Sequence, residues 1–297
     1  DAFTKALEAN PAAALSRLNL ANTHETLGEL EKRNHHRGLA YGETSSALVK
    51  LKLYYLEIPH SFGMGRPQEA AELTQQCMTL GEEQTEYMAL LYCADMLWWI
   101  GRSLGDADLV GLAVAGYKQA IDSPEIPAAI VDRMRTASLG MRSIEAAYQG
   151  DIPAARRLVD RLAGLEERQL FGMPRENVVG DVERVIAEVQ GDYRPWLDYY
   201  AGESVIGRPC YVAREEARLQ YAAGLSLEAG ESYSALVADD GPCGPTGEGR
   251  YFQAEALVTL AELNSDMVEV YAAQLDAMWP APESTNPVIR RLQAMNQ

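Results

Sequence analysis

Apolar positions along the chain recur three and four residues apart, the spacing of one buried face on an α-helix, and strict apolar–polar alternation is almost absent. Residues 128–149 show the pattern clearly: Ile130, Met134, Ala137, Met141, Ile144 and Tyr148 fall on one stripe. The turn Gly150-Asp151-Ile152-Pro153 follows, with a glycine to end one helix, an acid to cap the next, and a proline where a missing amide donor costs little. A return helix over 154–165 then offers Ala155, Leu158, Val159 and Leu162 to the first. The same punctuation recurs at Gly28-Glu29, Gly65-Arg66, Gly105-Asp106, Gly191-Asp192 and Gly230-Glu231, and a last turn lies at Asn264-Ser265-Asp266. Successive spacings are 37, 40, 45, 41, 39 and 34 residues. One helical hairpin cannot hide its apolar stripe alone, whereas a stack of hairpins buries a continuous core. The expected fold is therefore all-α, a single domain over 1–297 built as a right-handed superhelix of about seven stacked hairpins, with turns near 28, 65, 105, 150, 191, 230 and 265. A short segment within 283–297 is expected to cap the C-terminal end of the stack.

The stretch Ser143, Ala146, Ala147, Tyr148, Gly150, Asp151, Ala154, Ala155, Val159 and Leu162 resembles the tetratricopeptide-like superfamily of helical repeats, with small residues where two helices approach closely ahead of the turn. The period here is nearer forty residues than the thirty-four of that family's standard unit. The resemblance implies a protein or peptide partner on the concave face and no chemistry of the chain's own. In size, helical content and expected export the chain also looks like the T component that accompanies some periplasmic substrate-binding-protein transporters. That likeness implies a small apolar or carboxylate ligand and a substrate-binding partner.

Charge narrows the field. With 43 acidic against 26 basic residues, the formal net charge is -17, which leaves no positive footprint for nucleic acid. The most apolar segment, 88–100, is short for a membrane span and carries Asp95. The chain opens at Asp1 without a basic start and apolar run, so any export leader is expected to be gone already. A bacterial periplasmic or envelope location is the expectation, with the cytoplasm as the alternative. The four cysteines read equally well as two disulfides or as four thiols; Cys210 and Cys243 each sit near a flexible edge, and a bond between them would tether the loop 239–250. Cys77 and Cys93, near the middles of neighbouring antiparallel helices, read slightly better as packed thiols than as a disulfide.

Candidate chemistry is sparse. Two stretches, 59–67 and 239–250, read as loops that interrupt the repeat; the second has glycines but no following lysine and hydroxyl residue, so it is not a phosphate-binding loop. The histidines His24, His35, His36 and His60 lack metal-ligand spacing with Glu31 or Glu43 and read as surface or hinge residues. Acid pairs such as Glu82-Glu83, Glu166-Glu167 and Glu215-Glu216 read as helix starts and solvated faces. No catalytic residue, metal or cofactor is expected. Aromatic residues with polar neighbours remain: Tyr92, Trp99 and Arg102 on one helix, and Arg194, Trp196 and Tyr200 after the Gly191 turn, form the expected partner- or ligand-binding set. Trp98 and Trp99 are about 100° apart on a helix, so one enters the core and the other faces outward.

Overall fold

The glycines that punctuate the sequence end helices. Gly28, Gly65, Gly105, Gly150 and Gly191 all hold positive φ, and at Gly150 the amides of Gly150 and Asp151 return to the carbonyls of Ala147 and Ala146, both at 2.9 Å. Asp151 then accepts the Ala154 amide at 2.9 Å, which opens the next helix. The computed structural model describes residues 13–42, 44, 46–122, 128–165, 175–202, 209–238, 241–244 and 247–295. Among these the fold is all-α, with fifteen α-helices and no strand.

The helices form seven successive pairs: α1 (Ala14–Thr26) with α2 (Leu30–Gly42), α3 (Ala47–Gly63) with α4 (Pro67–Glu83), α5 (Tyr87–Leu104) with α6 (Ala107–Asp122), and α7 (Ala128–Tyr148) with α8 (Ile152–Ala163). They continue as α9 (Arg175–Val189) with α10 (Arg194–Gly202), α11 (Cys210–Ala222) with α12 (Ser226–Val237), and α13 (Gly247–Leu263) with α14 (Val268–Met278), followed by α15 (Pro287–Met295). Two expectations need correction. The sixth turn falls at Gly224, where φ is 76°, while Gly230 lies inside α12; the Leu225 amide closes that turn on the Gln220 carbonyl at 2.9 Å. The expected loop over 59–67 is mostly helix, because α3 continues through Pro59 to Gly63.

Each pair leans on the next, and the path of contacts also closes on itself. α13 packs along α3, where Phe62 and Tyr251 stack with ring centroids 4.2 Å apart. Trp279, 2% exposed, donates its indole N–H to the Gly63 carbonyl at 2.7 Å. A side chain at Gly65 would strike the Trp279 ring, and φ there is +75°, so both space and backbone demand glycine. The Glu283 carboxylate accepts the amides of Gln68 and Glu69, each at 2.8 Å, and so caps the first turn of α4. Asn286 donates to the Gly65 carbonyl at 2.9 Å. The segment expected only as an end cap thus fastens the seventh pair to the second, and α15 packs on α13.

Most buried side chains belong to one core running from Leu51 to Leu292, with a satellite between α7, α8 and α9 and another under α1. Both cysteine pairs are disulfides. Cys210–Cys243 ties the start of α11 to the stretch before α13, the pairing that tethers the loop. Cys77–Cys93, expected to be free thiols, joins α4 to α5 with Cα atoms 6.2 Å apart. Facing positions in the α4–α5 pair bring the two sulfurs within bonding distance.

Candidate functional site

Helix α5 is buried on nearly every side, and what it leaves uncovered is a single stripe. Ala89, Leu90, Leu91, Cys93, Ala94, Met96, Leu97, Trp98 and Ile100 are all buried, whereas Met88 is 50% and Trp99 45% exposed. Tyr92 and Asp95 fall between these two at spacings of four, three and four residues, so 88, 92, 95 and 99 share one face. Of the adjacent tryptophans, Trp98 enters the core and Trp99 faces solvent, with their rings edge to face at 5.2 Å.

The neighbours of this stripe are polar and aromatic. Tyr92 meets Tyr55 of α3 edge to face at 4.7 Å. Burial, with help from Glu248 and Tyr55, pushes the Tyr92 hydroxyl up to about 12. Glu248 on α13 is itself pushed up, by burial alone. The Glu248 side chain is nonetheless reached by solvent. Arg102 places its guanidinium 3.6 Å from the centre of the Tyr148 ring on α7, and its Nε lies 3.6 Å from Glu145.

The second expected cluster divides. Arg194 is exposed, with Asp198 3.9 Å away. Trp196 is half-buried, edge to face with Tyr199 and close over Gly180 of α9. Tyr200 is buried, and its hydroxyl is pushed up to about 12 by burial first, against the pull of Arg184. Arg194, Trp196 and Tyr200 thus run from solvent to core along one short helix.

What joins the two regions is a belt of charge that the sequence reading missed. Tyr148 donates to Glu188 at 3.5 Å, and Glu188 takes the Arg218 guanidinium in a two-pronged contact. Glu215 receives Arg184 at 2.5 Å, Arg214 at 2.6 Å and Arg218 at 2.8 Å. Arg214 continues to Glu255 at 2.9 Å and lies over the Phe252 ring. Burial alone would raise the Glu215 carboxyl, but the three guanidinium groups outweigh it and hold it far below the ordinary range. Glu215, read from sequence as a solvated acid, is thus the hub that links α9, α11 and α13. The signal in the sequence was a separation of about one repeat: 40 residues for Tyr148 and Glu188, and 41 for Arg214 and Glu255.

A second cluster lies at the junction of α1, α2, α3 and α4. Glu25, 1% exposed, accepts Arg66 through both oxygens, and His60 Nε2 lies 2.8 Å from it. Burial pulls its pKa up, but His60, Arg66 and Arg33 overcome that and leave it at about 2. Glu57, also buried, is held by Arg37 and by the Tyr41 hydroxyl; with fewer cations around it, burial wins and its pKa rises. His60, expected at a surface or hinge, instead belongs to this cluster. His24 sits 2.6 Å from Glu29 and stacks on His36. Among the described residues no group of three or more His, Cys, Asp or Glu side chains is placed to hold a metal ion, and no helix is long and apolar enough to cross a membrane.

Beside this second cluster, α2 and α4 diverge around a cavity of about 470 Å³. Arg37 and Glu69 form one side, Tyr41 and the buried Leu73 another, and Asn34, Glu72 and Gln76 line the rest, with Gly38 presenting no side chain. Neither Arg102 nor Arg194, the arginines of the expected binding set, lines it. Compared with known proteins, the chain matches no family model and no curated sequence.

Proposed function

We propose that the protein is a non-enzymatic, tetratricopeptide-like binding protein that takes a protein or peptide segment on the face formed by α5 and its neighbours. The observation that carries this reading is the uncovered stripe of α5: a helix otherwise sunk in the core leaves Met88 and Trp99 to solvent, flanked by Tyr92 and Arg102. Walls on both sides hold the stripe in place, Tyr55 on α3 and the Arg102–Tyr148 stack toward α7. A pre-ordered aromatic anchor loses little side-chain freedom when a partner docks. The net charge of -17 and the cation-poor carboxyl of Glu248 favour a segment with basic side chains.

Recovery of partners by wild type and by Trp99→Ala, from the cells that make the protein, tests the reading. One stoichiometric partner held by wild type and lost from a Trp99→Ala protein of unchanged Tm is the expected result. Equal recovery by both proteins overturns the reading.

Two disulfides support an oxidising compartment, in keeping with the reading of a bacterial periplasmic or envelope protein. That location, together with the cavity between α2 and α4, favours a second reading as a transport-associated protein that carries a small ligand.

A further inference from the structure

We propose that the cavity between α2 and α4 is a binding site for a small zwitterion bearing one carboxylate and one ammonium group, of the α-amino-acid type. The proposal deepens the reading of the chain as a small-ligand carrier and is independent of the α5 stripe.

The donors and acceptors already committed to the protein determine which ones a ligand meets. Arg37 pairs its Nε with Glu57 and its Nη1 with Glu69, the latter at 2.6 Å, and its guanidinium lines the cavity. Asn34 uses its carbonyl oxygen to accept Arg33 at 2.9 Å, and Gln76 uses its own to accept the Tyr54 hydroxyl at 3.2 Å. In that arrangement each amide points its NH₂ group, with two donors, away from a protein partner. Three donors, one of them cationic, line the same cavity and ask for an acceptor with several lone pairs, which a carboxylate supplies.

The other part of the lining asks for the opposite charge. Glu72 is exposed and has no partner in the protein, and an ionised carboxylate only accepts. An ammonium group meets it. Charge balance excludes the alternatives. Glu57 and Glu69 already offset Arg37, so a dianion would find one partly used cation and the acids Glu69 and Glu72 around it. A simple cation would satisfy Glu72 but make no use of the three donors. The Tyr41 ring and Leu73 form an apolar wall for the body of the ligand, and about 470 Å³ is the volume scale of small-molecule sites.

The site can be closed without touching the buried ion pairs. A Cβ at Gly38 would meet nothing within 4 Å, so Gly38→Phe fills the cavity from α2 with no backbone cost. Glu72→Gln removes the ammonium partner and breaks no contact within the protein. The purified chain is titrated by thermal shift and calorimetry with each standard L-amino acid at millimolar concentration, then with the amide and the deaminated acid of whichever stabilises best. The expected result is a rise in Tm of ~3 °C or more for at least one amino acid, abolished in Gly38→Phe, at least tenfold weaker in Glu72→Gln, and absent for the amide and the deaminated acid. A failure of every amino acid to stabilise, an effect that survives Gly38→Phe, or equal stabilisation by the two singly charged analogues overturns the proposal. Should Gly38→Phe not fold, the Glu72→Gln titration and the two analogues decide alone. Partner recovery by Trp99→Ala bears only on the α5 stripe, so the two readings fail separately.

Discussion

The two buried charge clusters are built from the same residues, arginine and glutamate, yet they do different work. Around Glu215 three arginines converge from α9 and α11, and the belt runs on to Glu255 of α13. Its members join helices one repeat apart. Around Glu25, ion pairs tie the first hairpin to the second, and the neighbouring Glu57 and Glu69 occupy only part of Arg37. The first cluster is saturated and acts as a fastening; the second has spare donors at a cavity and acts as a wall. A buried ion pair is therefore weak information about function until its unused atoms have been counted.

The sharpest way to break the comparison is at its hub. Glu215→Ala leaves three guanidinium groups facing one another and is expected to cost about 4 kcal/mol in urea unfolding, with hydrogen exchange accelerated in α9, α11 and α13. A loss confined to the first two hairpins would contradict that assignment. The Cys210–Cys243 bond lies in the same region and closes a 33-residue separation. Its removal as a double Ser variant is expected to cost about 4 kcal/mol, against about 3 kcal/mol for the Cys77–Cys93 pair with its separation of 16.

Acid separates the clusters differently. Glu25 titrates near 2 in the folded chain against an ordinary 4.5. Its contribution is fully present above pH 4.5 and fades as pH falls toward 2, a span worth about 3 kcal/mol for this buried group. In Glu25→Gln the stability profile over that interval should flatten, and the first hairpin should exchange faster while α9, α11 and α13 keep their protection. Smallest is a pair of glycine substitutions flanking the start of α12. Gly224→Ala, at φ 76°, should destabilise by about 1 kcal/mol, while Gly230→Ala, inside a helix with open space around it, should stabilise by about the same amount. Reversed signs would restore the turn to Gly230.

That last pair shows where the sequence was legible and where it was not. Glycines, four of them followed by an acid, located five of the turns because the left-handed helix end is a local demand, felt within a few residues. At the sixth, Gly224 and Gly230 compete, and the Glu231 after Gly230 mimicked a cap; the chain turns at Gly224, which takes the positive φ. The stripe of α5 was half readable: Tyr92, Trp99 and Arg102 follow helical spacing, but which of Trp98 and Trp99 faces outward depends on what packs across it. Glu215, Arg218 and Glu57 were invisible for a different reason. A charged residue in a polar-looking face is assigned to solvent unless its partner is known, and the partners that bury these groups, Arg184 for Glu215 and Glu188 for Arg218, lie 30 or more residues away. Arg37, Asn34 and Gln76 gave no motif at all, since what matters is which of their atoms stay unused.

The bond from Trp279 to Gly63 and the cap that Glu283 places on α4 have a consequence for how the chain can be made and how it can evolve. An open array gains or loses a unit at either end with little penalty, and its leading units settle while later ones are still being synthesised. Here the amides that begin α4 wait for a carboxylate more than 200 residues downstream, so a ribosome must release almost the whole polypeptide before its second hairpin is complete. Duplicating or deleting one internal hairpin would move Trp279 away from its glycine seat, which fixes the number of units as firmly as a keystone fixes the stones of an arch.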